Sequence, residues 1–203
     1  MVKVKVCGIT RPEDAEFAVG RGADYVGVIL YPKSPRFVPP GQRKAILEAA
    51  RGVPKVAVFV NPTLDEVISA LEEGFDLVQL HGEESLEFAR HVGIDKVIKA
   101  FRVKEKTPEI DEGWKDAFGV LLDTYSKKAY GGTGESFNWD IARAVADRGF
   151  RLFLSGGLKP ENVREAVSYV KPFAVDVSSG VEREPGIKDK MKVEGFIKEA
   201  KVL

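Results

Sequence analysis

Short apolar runs alternate with stretches of helical spacing along nearly the whole chain. The runs fall at 2–6, 24–30, 55–60, 77–80, 96–101, 118–123, 152–154 and 173–177. Each is mostly Val, Ile, Leu or Phe with turn residues near its end, the pattern of strands buried on both faces of a parallel sheet. Between them, Leu64, Val67, Ile68 and Leu71 recur at i, i+3, i+4 and i+7. Val163, Ala166, Val167 and Val170 repeat that spacing, as do Val193, Phe196, Ile197 and Ala200. Each set gives a helix one apolar stripe to lay on a sheet. Weaker periodicity predicts helices over 13–20, 42–51, 83–92 and 138–148, and 103–115 has the poorest pattern. Pro12, Pro62 and Pro160 are expected in first helical turns, where the missing N–H would be unpaired anyway.

Strands alternating with helices imply right-handed βαβ units and a parallel sheet. Eight such units in 203 residues leave a doubly wound open sheet or a closed barrel. An open sheet usually has fewer strands, and a barrel normally needs ~250 residues with ~200 as the lower limit. The count therefore favours an α/β fold, a single compact (β/α)8 TIM barrel over 1–203.

Charge narrows the partners. Lys and Arg number 31 and Asp and Glu number 31, so the formal net charge is zero. That argues against nucleic acid held by bulk charge and against a polybasic membrane surface. Hydrophobic residues at 44% suit a globular chain, not a disordered one. Charged residues at 31%, with one Cys and two Met, hint at a thermophile. A single cysteine rules out an intrachain disulfide, and with only two histidines it leaves too few ligands for a bound transition metal. The first residues show no charged leader and apolar core, and no apolar run approaches the ~18 residues of a membrane span. A soluble, cytoplasmic chain is expected.

In such a barrel the active site uses the C-terminal ends of the strands and the loops after them. There the sequence places Cys7-Gly8, the proline-rich stretch around Arg36, Asn61, His81-Gly82-Glu83, Asp123, a loop with Gly131, Gly132 and Gly134, Ser155-Gly156-Gly157 and Asp176-Val177-Ser178-Ser179-Gly180. Small residues after strands seven and eight (Gly156, Gly157, Ser178, Ser179, Gly180) would let backbone N–H groups approach a phosphate, with a short helix start adding its dipole. Tight turns needing glycine are the bland alternative. Asp123 closes an apolar run, and a buried carboxylate is expensive unless paired or used. Cys7 could be a small buried hydrophobe or, facing Asp123 across the mouth, one half of an acid–base pair. Arg36, in a loop stiffened by Pro32, Pro35, Pro39 and Pro40, suits bidentate capture of a substrate carboxylate or simply lies exposed. His81 is expected to bond a neighbouring backbone group, and His91 to sit on a helix surface.

These residues carry a resemblance. Lys5-Val6-Cys7-Gly8-Ile9-Thr10, Ser34-Pro35-Arg36, Gln79-Leu80-His81-Gly82-Glu83, Leu122-Asp123, Gly131-Gly132-Thr133-Gly134, Ser155-Gly156-Gly157-Leu158, Pro160-Glu161-Asn162-Val163 and Asp176-Val177-Ser178-Ser179-Gly180-Val181-Glu182 resemble phosphoribosylanthranilate isomerase of tryptophan biosynthesis, in order along the whole chain. The resemblance implies an Amadori rearrangement of N-(5′-phosphoribosyl)anthranilate to 1-(2-carboxyphenylamino)-1-deoxyribulose 5-phosphate, with no cofactor and no metal. It implies Cys7 as general base and Asp123 as general acid. Arg36 would bind the anthranilate carboxylate, and Gly156, Gly157, Ser178, Ser179 and Gly180 would cradle the phosphate. His81 and Asp176 would lie near the substrate. Glu135 departs from the basic residue expected after Gly134. The alternatives are a related phosphosugar isomerase or epimerase barrel, which would want a second aspartate or metal-binding histidines, and a non-catalytic phosphoribosyl-ligand binder. Either a monomer or a homodimer fits.

Overall fold

The computed structural model describes residues 1–103, 108–123 and 135–202, with backbone only for 135–138. The strands are β1 (Lys3–Val6), β2 (Tyr25–Ile29), β3 (Lys55–Phe59), β4 (Leu77–Leu80), β5 (Val97–Arg102), β6 (Gly119–Asp123), β7 (Leu152–Ser155) and β8 (Ala174–Val177). All eight pair in parallel in sequence order, and β1 pairs with β8, closing the barrel. Around it lie α1 (Pro12–Gly20), α2 (Pro40–Ala49), α3 (Leu64–Glu73), α4 (Leu86–Val92), α5 (Glu135–Asp147), α6 (Val163–Val170) and α7 (Lys190–Lys201). A short antiparallel hairpin, β9 (Glu182–Glu184) and β10 (Ile187–Lys188), follows β8.

The periodic patterns found all eight barrel strands but not the β9–β10 hairpin, and the outer layer differs from eight full units. Between β5 and β6 the described residues hold a 3₁₀ helix, Glu112–Asp116, and no α-helix. Its Trp114 packs edge-on against Phe101, with ring centres 6.0 Å apart. This is the stretch whose apolar spacing was poorest. Two helix starts also differ. Pro12 does open α1, but Pro62 lies outside α3, whose N-cap is Thr63. Thr63 Oγ1 accepts from Glu66 N at 3.3 Å, and Glu66 Oε2 accepts from Thr63 N at 2.7 Å, a reciprocal cap that fixes the start. Pro160 sits in the turn before α6, and Pro40 takes the first helical position of α2.

Alternate residues of each strand face the barrel interior. The lower interior is apolar: Tyr25, Val56, Leu77, Ile98, Leu121, Phe153 and Ala174 form one buried cluster. Phe153 is its centre, 5.7 Å from Tyr25, 6.2 Å from Phe118 and 5.6 Å from Phe173 between ring centres. Gly119 leaves it room, since a Cβ there would lie 2.7 Å from Phe153 Cε2. Arg151 lies over both Phe118 and Phe173, at 5.1 and 5.2 Å. Above this cluster the inward positions of β1, β4 and β8 turn polar, with Lys5, Gln79 and Asp176, and the rim adds Cys7, His81, Asp123 and Ser155.

Phe153→Ala is expected to lower the unfolding free energy by about 3–5 kcal/mol, because neighbours on several strands cannot collapse into the void. Denaturant unfolding of the purified protein measures it.

Candidate active site

The polar tier is built around a lysine. Lys5 has no exposed surface, and its Nζ donates to Gln79 Oε1 and to Asp176 Oδ1, both at 2.8 Å. The β1–β8 register sets Lys5 opposite Asp176. Burial pushes the Lys5 ammonium toward losing its proton, but Asp176 and the neighbouring Cys7 outweigh it and hold the group above the ordinary lysine range. Asp176 Oδ2 accepts from Ser155 Oγ at 3.1 Å, so both carboxylate oxygens are engaged beneath the rim. Gln79 Nε2 then lies 3.0 Å from His81 Nδ1, and His81 Nε2 lies 3.5 Å from Asp123 Oδ2. His81 thus bonds a side chain, in contrast to the backbone partner expected for it.

Cys7 follows β1 directly, its N–H donating to Val177 O at 2.8 Å. The thiol is buried against Gly27, where a Cβ would come 2.7 Å from Sγ. Burial pushes the Cys7 thiol up from its usual range. Lys5 pulls it down, Asp176 adds to the rise, and Lys188 pulls it down. Asp123 ends β6 with its side chain 29% exposed. It is therefore less buried than the apolar run before it suggested, because it is the strand's last residue and faces the open rim.

Arg36 does not present a free fork. Its Nε and Nη2 donate to Glu182 Oε1 and Oε2 at 2.7 and 2.6 Å. Lys188 Nζ donates to the same Oε1 at 2.9 Å and to Ser178 O at 3.2 Å. Burial raises the Glu182 carboxyl, but Arg36 and Lys188 outweigh it and hold it below the ordinary range. Gly8 sits between the two loops: at φ +70° it brings its backbone so close that a Cβ would lie 2.7 Å from both Arg36 Cδ and Ser178 Oγ. Among the described residues the buried Ser178 Oγ has no hydrogen-bond partner, a departure that calls for a ligand or a bound water.

The loops after β7 and β8 meet. A Cβ on Gly180 would collide with the Leu158 carbonyl. Gly156 and Gly157 take φ of 91° and 69°, and a Cβ on Gly157 would meet only open space. Asn162 pins this loop, donating to Gly157 O at 3.1 Å and accepting from Lys159 N at 2.9 Å. The expected helix start in the eighth loop is a three-residue 3₁₀ turn, Ser179–Val181. The glycine loop at 131–134 and the side chain of Glu135 lie outside the described residues.

The loop bearing His81 is held from below. Lys99 Nζ donates to Gly82 O at 2.6 Å and Glu84 Oε2 at 2.8 Å, and Glu84 Oε1 accepts from Asn61 N at 2.7 Å. Lys5, Gln79, Glu182 and Lys188 were given no role from sequence. A polar residue at an inward position of an otherwise apolar strand would have flagged the first two. Among the described residues no cluster of three or more His, Cys, Asp or Glu could hold a metal.

The model of the family described as "N-(5'phosphoribosyl)anthranilate (PRA) isomerase" matches residues 4–199. The chain is 57% identical over 203 residues to an N-(5'-phosphoribosyl)anthranilate isomerase from Aquifex aeolicus, covering 99% of each. It superposes on the crystal structure of phosphoribosyl anthranilate isomerase from Thermotoga maritima with a TM-score of 0.87 at 44% identity, both chains covered in full. A second such structure, in complex with reduced 1-(o-carboxyphenylamino)-1-deoxyribulose 5-phosphate, gives 0.85 at 41% identity, again with full coverage of both.

Glu182 sets an acid limb of stability. Its folded carboxyl titrates below the unfolded one, so its contribution is present above the unfolded value of about 4.3 and is lost as pH falls through the folded value. In Glu182→Gln the unfolding free energy is expected to be lower at pH 7 and to change less on acidification below about pH 4.3. Urea titrations at stepped pH check both.

Proposed function

The chain belongs to the N-(5'-phosphoribosyl)anthranilate isomerase family, an isomerase of tryptophan biosynthesis, and on that premise we propose that Cys7 and Asp123 divide its proton transfers. The observation that carries this reading is one shared tier. A thiol beside a buried ammonium and a carboxylate beside an imidazole stand on the same rim of a closed barrel.

The substrate is N-(5'-phosphoribosyl)anthranilate. Asp123 gives its proton to the furanose ring oxygen as the C1′–O bond breaks. The anthranilate nitrogen lone pair fills the gap and forms an iminium. Cys7, as thiolate, removes the proton from C2′, and that electron pair flows to C1′, neutralising the nitrogen and leaving an enol-amine. Transfer of the enol proton to C1′ gives the 2′-ketone of 1-(2-carboxyphenylamino)-1-deoxyribulose 5-phosphate, and exchange with solvent after product leaves returns a proton to Asp123 and removes the one on Cys7. Every electron pair returns to the substrate, whose own nitrogen is the sink, so the scheme needs no cofactor.

Arg36, held by Glu182 through two of its nitrogens, keeps Nη1 for the anthranilate carboxylate. The unpartnered Ser178 hydroxyl supports a phosphate between Gly156-Gly157 and Ser178-Ser179-Gly180. His81 is a neighbour of the reacting ring through Asp123. Asp176 acts on the substrate only indirectly, by holding Lys5.

Turnover of the purified enzyme, followed as loss of the substrate's anthranilate fluorescence, is expected to fall about 10²–10⁴-fold in kcat for Cys7→Ala and for Asp123→Asn. Undiminished turnover in both variants overturns the assignment.

A further inference from the structure

Lys5, Gln79 and His81 are not used by the proton-transfer scheme, yet they form a hydrogen-bonded line whose end, His81 Nε2, lies 3.5 Å from Asp123 Oδ2. The line has a direction, and the lysine sets it. An ammonium can only donate, so the Gln79 atom 2.8 Å from Lys5 Nζ has to be the carbonyl oxygen. The amide nitrogen then faces His81 Nδ1 at 3.0 Å, and it too can only donate. Nδ1 must offer a bare lone pair, so the ring carries its proton on Nε2, the nitrogen 3.5 Å from Asp123 Oδ2.

We propose that Lys5 and Gln79 are positioning residues that lock His81 in the Nε2-protonated tautomer, so that Asp123 always meets a hydrogen-bond donor. The proposal rests on the reading of Asp123 as the acid. Once Asp123 has given up its proton it is a carboxylate that can only accept. A donor at 3.5 Å, closing as substrate fills the mouth, holds and stabilises it at that moment. A bare nitrogen there would repel it. Asp176 keeps the line fixed by holding Lys5 from the opposite side, so that the ammonium cannot turn away from Gln79.

The chain contains its own contrast. Its other histidine, His91, has Nδ1 2.9 Å from the carbonyl of Glu87, which can only accept, so His91 carries its proton on Nδ1. The two rings of the protein are therefore opposite tautomers.

Long-range proton–nitrogen correlation spectra of the full-length protein with ¹⁵N-labelled histidine test this directly. One ring should show a bare Nδ1 with a protonated Nε2, the other the reverse, and His91→Asn should remove the second. In Gln79→Glu the new carboxylate accepts from Lys5 and from His81, drawing a proton onto Nδ1. The His81 pattern should change, and kcat should fall roughly 10–100-fold with KM little altered, as when partners that orient a functional imidazole are removed. Gln79→Met breaks the link without adding charge, and should give mixed tautomers and a similar loss of kcat. His81→Gln keeps one acceptor and one donor in line and should retain more turnover than His81→Phe. A wild-type His81 protonated on Nδ1 overturns the proposal, as does an unchanged tautomer with unchanged kcat in both Gln79 variants. Full turnover in Asp123→Asn would instead remove the acid that the relay serves, whatever the tautomer. A wrong tautomer would remove the relay and leave the acid standing.

Discussion

A lysine ammonium with no exposed surface has to be answered by the strands around it, and the upper barrel is arranged as that answer. Removing such a charge from water costs several kcal/mol unless hydrogen bonds and a countercharge replace the solvent. Lys5 receives Asp176 from β8 and Gln79 from β4. Each partner then commits its remaining polar atoms, Asp176 to Ser155 and Gln79 to His81. The pairing pins residues from strands β1, β4, β7 and β8 to one another within the interior. Cys7 and Asp123, at the rim of this tier, inherit their positions from it.

A second buried charge group governs the edge of the mouth. Glu182 is gripped by Arg36 from the loop after β2 and by Lys188 from its own hairpin. The hairpin therefore ties the first loops of the barrel to the last, and Gly8 allows the close approach. Arg36 is preorganised by this grip. Its guanidinium does not need to be ordered by a ligand, which spares the entropy of fixing a long side chain on binding.

Much of the fold was legible because barrel strands are short apolar runs and each helix lays one stripe on them. The misplaced starts at Pro62 and Pro160 came from reading proline as the signal, whereas the side chains of Thr63 and Asn162 decide where those turns close. Cys7, Asp123 and the paired glycine loops could be located as strand ends. Their partners could not. Period-two alternation says that Lys5 and Gln79 face inward, but not that they meet across a separation of 74 residues, or that Asp176 closes the same group from 171 residues away. Likewise nothing local in the proline-rich loop revealed that Arg36 would already be spoken for by Glu182.

The aromatic packing of the lower interior has a further effect. With Tyr25, Phe118, Phe153 and Phe173 filling the bottom and Arg151 lying across two of them, the lumen is a blind-ended well. The aromatic floor closes the route from below to the buried thiol and to the carboxyl at the rim. A substrate seated in the mouth therefore lies over a dry floor, and in the proposed scheme the proton gained by Cys7 and the one lost by Asp123 are exchanged through the mouth once product has left.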